Sequence, residues 1–229
     1  MPIPQHQLAM LLQHYKNIQH ILVVGGGPSL KNYDLNQIKI IDNLLIICCN
    51  QAFLHCPQAQ ISHHSDYSWW LEYQTHLKHF KGQLMTGCGL GRNIAYPPNS
   101  HIYKLHTAHG AQTASLFKDQ DYVYGNNCGL QALALAHHFT PQNIWLIGFD
   151  FKAQQQQSHG YQIQIPRALE LAAKFWPHFL KDFSRFEHLR QSTWASCHPQ
   201  NPLPQIYNLN ADSALKLYPY PKTIPDFLN

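Results

Sequence analysis

The 229-residue chain is predicted to be an α/β protein, with a mostly parallel sheet and helices on both faces. Three observations predict this. Apolar runs at 20–25, 44–50 and 143–151 end in glycine or polar residues, as strands buried on both faces do. Helical patterns at 67–80 and 126–139 separate or precede such runs. The chain is 45% hydrophobic, which supplies a sizeable core. Strands alternating with helices lead to a parallel sheet.

The elements follow in order. Residues 7–18 read as a short helix with Leu8, Leu11, Leu12 and Tyr15 on one face. "ILVV" then forms the first strand, and Asp34 caps a short helix from Leu35. "LLIICCN" (44–50) is the second strand. "QISHHSD" (60–66) is a weaker third. The helix at 67–80 turns Trp70, Tyr73, Leu77 and Phe80 inward. Short strands at 83–87 and 101–105 flank a loop, "GCGLGRNIAYPPNS". "NNCGLQALALAHHF" opens on small polar residues and continues as a strong helix, and "NIWLIGFDF" is the clearest later strand. Residues 154–165 are polar and Gln-rich, so 152–166 is expected to be a mobile lid. A helix over 167–190 is expected to break at Pro177. "QIYNLN" (205–210) is a last strand, followed by a short helix in "ADSALKLYP".

Composition narrows the function classes. Only 12% of residues are charged and the formal charge is +4. No Lys/Arg run marks a nucleic-acid surface. No stretch approaches the ~18–20 apolar residues of a membrane span, and no signal peptide precedes the first helix. The six cysteines form no CxxC pair and read as buried free thiols of a reducing cytosol. The expected location is therefore cytoplasmic, without stable membrane insertion; a homo-oligomer is compatible. The 17 histidines are expected mostly at the surface, where they gain charge below neutrality. His63-His64 and His137-His138 lack partners at metal-ligand spacing. Each pair's side chains diverge, so no structural zinc is expected.

In open α/β sheets ligands bind beyond the carboxyl ends of the strands. That edge collects Gly25, Gly26, Gly27, Pro28 and Ser29, then Asn50 and Gln51, Asp66, Asn126–Gly129 and Asp150. "GGGPSL" is not a dinucleotide loop, because Leu30 replaces the third glycine and Asn50 replaces the ribose-binding acid. It lacks the G-K-[ST] of a Walker loop. A tight turn with backbone N–H groups and the Ser29 hydroxyl remains, suited to a phosphate. Asn50 carries a donor and an acceptor for a base or sugar. The helix start at Asn126, Asn127, Cys128 and Gly129 suits an anion. His159 is a candidate general base on a closing loop. "DQD" (119–121) reads as a solvated turn rather than a metal motif. No cofactor and no divalent metal are expected. Residues 1–229 thus read as one nucleotide-binding α/β domain.

"VVGGGPSLKNYDLNQI", "CCNQAF" and "NCGLQALALAHHFTPQNIWLIGFDF" together resemble bacterial sialyltransferases of the Campylobacter and Haemophilus lipooligosaccharide type. The resemblance implies a modified Rossmann-like domain with a lid and a CMP-sugar donor, used without metal. It implies that Gly25, Gly27, Pro28 and Ser29 approach the nucleotide phosphate. Asn50, Cys128 and Gly129 would contact the nucleotide, Tyr161 its phosphate, and His159 would be the base. Asp66 or Asp150 would orient the sugar or an unknown acceptor. Gly125 stands where that family carries Arg. The layout also resembles an uncharacterised phage and prophage family through "DYSWW", "NCG", "GFD", "HG" and "NADSAL". The same glycine loop occurs in motility accessory factors and archaeal pterin diphosphokinases. The leading expectation is sugar transfer. The alternatives are diphosphokinase chemistry with ATP and Mg²⁺, or a non-catalytic nucleotide-binding accessory protein.

Overall fold

A computed structural model describes residues 6–87, 96–97, 100–161 and 167–228. Among these residues the apolar runs form a seven-stranded, wholly parallel sheet. Its strands are β1 (His20–Val24), β2 (Leu44–Cys49), β3 (Ile61–His64), β4 (Gln83–Thr86), β5 (Ile102–Lys104), β8 (Asn143–Ile147) and β9 (Gln205–Asn208). The order across the sheet is β5-β4-β3-β2-β1-β8-β9. The chain moves outward from β1 to β5, then returns to the other side of β1. The reversal makes the β1/β8 boundary the switch point, where open sheets of this kind leave a crevice.

Alternation along the strands fills two cores. Ile21, Val23, Leu45 and Ile47 point to one face, against α1 (His6–His14), α3 (Cys128–His137) and α4 (Ala168–Cys197). Leu22, Val24, Leu44 and Ile46 point to the other, against α2 (Tyr67–Leu77) and the C-terminal segment. Burial on both faces explains the unbroken apolar runs. The α/β fold and its helix placement match the sequence expectation.

Several local expectations change. Asp34 does cap, accepting from Asn36 N, but the turn is a single 3-10 turn over Leu35–Gln37. α4 runs through Pro177 without stopping. Pro177 is exposed, so the lost N–H bond is borne on the solvent side of the helix. "ADSALKLYP" forms turns rather than a helix, because its side chains are used to brace β8. A short parallel pair, β6 (His106–Thr107) with β7 (Tyr122–Val123), was not evident from the sequence. The loop at 87–100 and the end of the 152–166 segment lie largely outside the described residues. No described helix is long and apolar enough to cross a membrane.

Most of the described histidines are exposed or partly exposed, as the sequence predicts, with four exceptions. His63, His64, His137 and His138 are buried. The first pair do diverge: His63 Nε2 meets Gln131 Oε1 at 3.0 Å, and His64 Nε2 meets Tyr96 OH at 3.0 Å. Burial lowers His63 to about 4 and His64 to about 3, and it lowers His137 to about 3. These rings stay neutral inside the fold. Cys48, Cys49, Cys56 and Cys128 are buried free thiols.

Candidate functional site

The switch point holds a cavity of about 160 Å³. Gly25, Gly26 and Gly27 line it from β1, Asn50 from β2, and Asn127, Cys128 and Gly129 from α3. Asp150 follows β8, and His159 and Tyr161 come from the segment beyond it. Ten of the residues singled out in the sequence thus meet in one place.

The glycine loop is held by its neighbours. Gly25 N donates to Ile147 O at 2.7 Å, and Gly27 N donates to Gly148 O at 2.8 Å. Pro28 has no N–H. Ser29 N and Ser29 Oγ donate to Asp150 at 3.0 and 2.8 Å. Among the described residues, only Gly26 N in the stretch 25–30 is left without an acceptor. The loop is therefore a clamp to β8 more than an open cradle. Pro28 and Ser29 are buried beneath the cavity rather than lining it. Gly27 has no room for a side chain, since a methyl there would sit 2.0 Å from Asp150 Oδ2.

Asp150 is the centre of that clamp. Besides Ser29 it accepts from Asn210 Nδ2 at 2.7 Å. Burial pushes its carboxyl above the ordinary value, and the Ser29 and Asn210 donors pull against this. Ser213 Oγ donates to Phe149 O at 2.6 Å, and Ala214 N donates to Asp150 O at 2.8 Å. "NADSAL" is thus the brace behind the loop, a role the sequence alone did not disclose.

Unused polar groups point to a ligand. The α3 cap Asn127 spends its Oδ1 on Leu130 N, leaving Nδ2 buried and unpartnered. Asn50 Oδ1 is likewise buried without a partner. Asn50 and Phe151 both line the cavity with left-handed backbones, φ 49° and 50°. For a bulky residue such as Phe151 that conformation is strained, and such strain gathers at functional sites. The first-turn N–H groups of α3 lie at the same end and are donors of the kind that suits an anion.

The segment after β8 closes the opposite side. Gly160 N donates to Gly26 O at 3.0 Å. Tyr161 lies across Gly26 and stacks on His55, with ring centres 6.0 Å apart. Burial pushes the Tyr161 hydroxyl far above its ordinary value, so it stays a donor. His159 Nδ1 meets Ser158 Oγ at 2.9 Å, and burial holds the ring below the ordinary histidine value. Burial, with Cys49 beside it, raises the Cys128 thiol well above its usual range, so Cys128 stays protonated.

The other sequence candidates lie outside the cavity lining. Gln51 is buried and donates to Tyr73 OH at 3.0 Å. Asn126 is exposed beside the cap. Asp66 is exposed just past β3, where its carboxylate accepts from Ser65 Oγ at 3.3 Å and its backbone carbonyl from Trp70 N at 3.2 Å. Sequence reasoning missed the aromatic wall of Phe149, Phe151, Trp176 and Phe179. "GFDF" signalled the first two, but nothing local signals the pair on α4.

A protein-held divalent cation does not fit these residues. Among the described residues Asp150 is the one carboxylate lining the cavity, and three donors already occupy its two oxygens. Magnesium sites ordinarily take one or two carboxylates together with substrate phosphates and waters.

No curated protein and no solved structure matches the chain. The family model described as "6-hydroxymethylpterin diphosphokinase MptE-like" matches residues 2–156, about two-thirds of the chain. This finding overturns the sialyltransferase-like recognition, and with it the CMP-sugar donor and sugar transfer. The geometry gives a physical reason. Gly25, Gly27 and Gly148 let two strand ends approach closely, which any fold with this switch point needs. Gly125, where a sialyltransferase carries Arg, has φ 105°, and a Cβ there would sit 2.6 Å from Leu130 Cδ2, so a side chain is disfavoured on both counts. Matched by that model over more than half its length, the chain belongs to the MptE-like family.

Proposed function

We propose that the chain transfers a diphosphoryl group from a nucleoside triphosphate to the primary alcohol of a planar heterocycle, in the manner of the enzyme for which its family is named. The observation carrying this reading is an imidazole, its neutral form favoured by burial, held beside a site of unused donors. Nδ1–H of His159 donating to Ser158 Oγ is the tautomer that leaves Nε2 basic. The His159 ring edge lies against Gly26, whose N–H is unspent, and the α3 N-terminus completes the anion site.

The alcohol oxygen attacks the β-phosphorus, and the bond from that phosphorus to the oxygen bridging to the α-phosphorus breaks. Nucleoside monophosphate leaves, and the alcohol proton passes to His159 Nε2. No Lys or Arg lines the cavity among the described residues. Magnesium arriving on the nucleotide, as part of the substrate, neutralises the phosphates. Gly26 N, Asn127 Nδ2 and the Tyr161 hydroxyl orient them. Asp150 positions the loop and does not touch the reacting atoms. Four buried thiols support a reducing, cytoplasmic setting.

His159→Gln is expected to lower turnover by about 10²–10⁴-fold. Nucleotide affinity, measured by calorimetry, should stay within a few-fold. In the parent protein the acid limb of the rate profile should fall below the ordinary histidine value, because burial favours the neutral ring. Full turnover in His159→Gln would remove the assigned base.

A further inference from the structure

The cavity has two chemically different walls. One is backbone and amide: Gly25–Gly27, Asn50, Asn127 and Gly129. The other is aromatic, and half of it comes from α4, which lies beyond the residues the family model matches. Phe149 is buried, and Phe151 packs edge-on against Phe179 and Phe183. Those rings hold one another in place.

Trp176 differs. The chain has five tryptophans. Trp69 stacks on Tyr73, Trp70 on Tyr67, and Trp145 on Tyr207, while Trp194 meets Phe117 edge-on. Among the described residues, the Trp176 indole has no ring partner and makes no hydrogen bond. It is partly buried and lines the cavity. An indole left without an aromatic neighbour, facing unused phosphate-type donors, is suited to stack on the ring of a phosphate-bearing or phosphate-accepting ligand.

We propose that Trp176 is a specificity residue that stacks on the planar heteroaromatic ring of a substrate. This rests on the diphosphotransfer reading of the same cavity. The ring belongs either to the nucleotide base or to the acceptor, and the recognising chemistry is the same. The segment outside the family match thereby sets which rings the glycine loop at the phosphate site serves.

The test compares parent, Trp176→Ala and Trp176→Phe by calorimetry with three probes: MgATP, magnesium tripolyphosphate and 6-hydroxymethylpterin. In Trp176→Ala, at least one ring-bearing probe should bind about 5- to 150-fold more weakly. Tripolyphosphate should be unchanged, and Trp176→Phe should restore most of the loss. A loss confined to MgATP seats the base on Trp176, and one confined to the pterin seats the acceptor there. If tripolyphosphate weakens equally, or both ring-bearing probes bind Trp176→Ala as they bind the parent, the assignment is wrong while diphosphotransfer stands. If the parent binds neither ring-bearing probe, both readings fall.

Discussion

Lowering the pH from 7 to 5.5 is expected to cost the fold about 4 kcal/mol. The cause is three histidines buried in neutral form: His63, held to about 4, and His64 and His137, each held to about 3. In the unfolded chain each titrates near ~6.5. The folded value is depressed, so the unfolded state binds more protons below that pH. Stability is therefore complete above about 6.5 and declines as pH falls through it. Each histidine contributes a little over ~1 kcal/mol over this interval. His138 is lowered as well and adds in the same direction. For a domain of ordinary stability, ~5–15 kcal/mol, this is a large share. The thermal midpoint should drop by about 8–16 °C. Urea midpoints at the two pH values check it, and a midpoint unmoved by pH would remove the account of these rings.

Asp150→Ala is expected to destabilise the protein by about 3–5 kcal/mol and to abolish nucleotide binding. Three hydrogen bonds to one buried carboxylate are lost at once. Ser29 N and Asn210 Nδ2 are left without an acceptor, and a buried unsatisfied donor carries the full desolvation cost. The loop then loses its tie to β8, and the brace from 210–214 loses its anchor. Asp150→Asn separates the two effects, since the amide oxygen still accepts from Ser29 N. It should recover part of the stability, read by denaturant midpoint, and part of the affinity. An Asp150→Ala protein that binds nucleotide as tightly as the parent would show that the clamp does not shape the site.

Much of the fold was legible because its signals are local. β1, β2 and β8 are buried on both faces, so their runs are apolar without interruption. The rule that ligands sit beyond strand ends then gathered Gly25–Gly27, Asn50, Asn127–Gly129 and Asp150, which line one cavity, together with Asp66 and Asn126, which do not. What was not legible depends on partners distant in sequence. Ser29 and Asp150 are 121 residues apart, and Asp150, with the Ile147 and Gly148 carbonyls, also from the β8 end, uses up three of the loop's N–H groups. Trp176 and Phe179 reach the cavity from α4, on either side of Pro177 and far past β8 in the sequence. The buried histidines looked like surface composition because their partners, Gln131, Tyr96 and the Leu133 carbonyl, come from other elements or from the preceding helical turn. The sialyltransferase resemblance failed for a related reason. Its motifs report close strand ends, a backbone requirement, whereas donor choice lies in side chains such as the one Gly125 lacks.

The central claim is diphosphoryl transfer at the β1/β8 cavity. Its most direct test is incubation of the purified chain with MgATP and 6-hydroxymethylpterin or its dihydro form, with phosphorus NMR of the products. Attack on the β-phosphorus predicts AMP and a pterin diphosphate ester in equal amounts, suppressed in His159→Gln. ADP as the product, or bound ATP that remains intact in the presence of the alcohol, would contradict it.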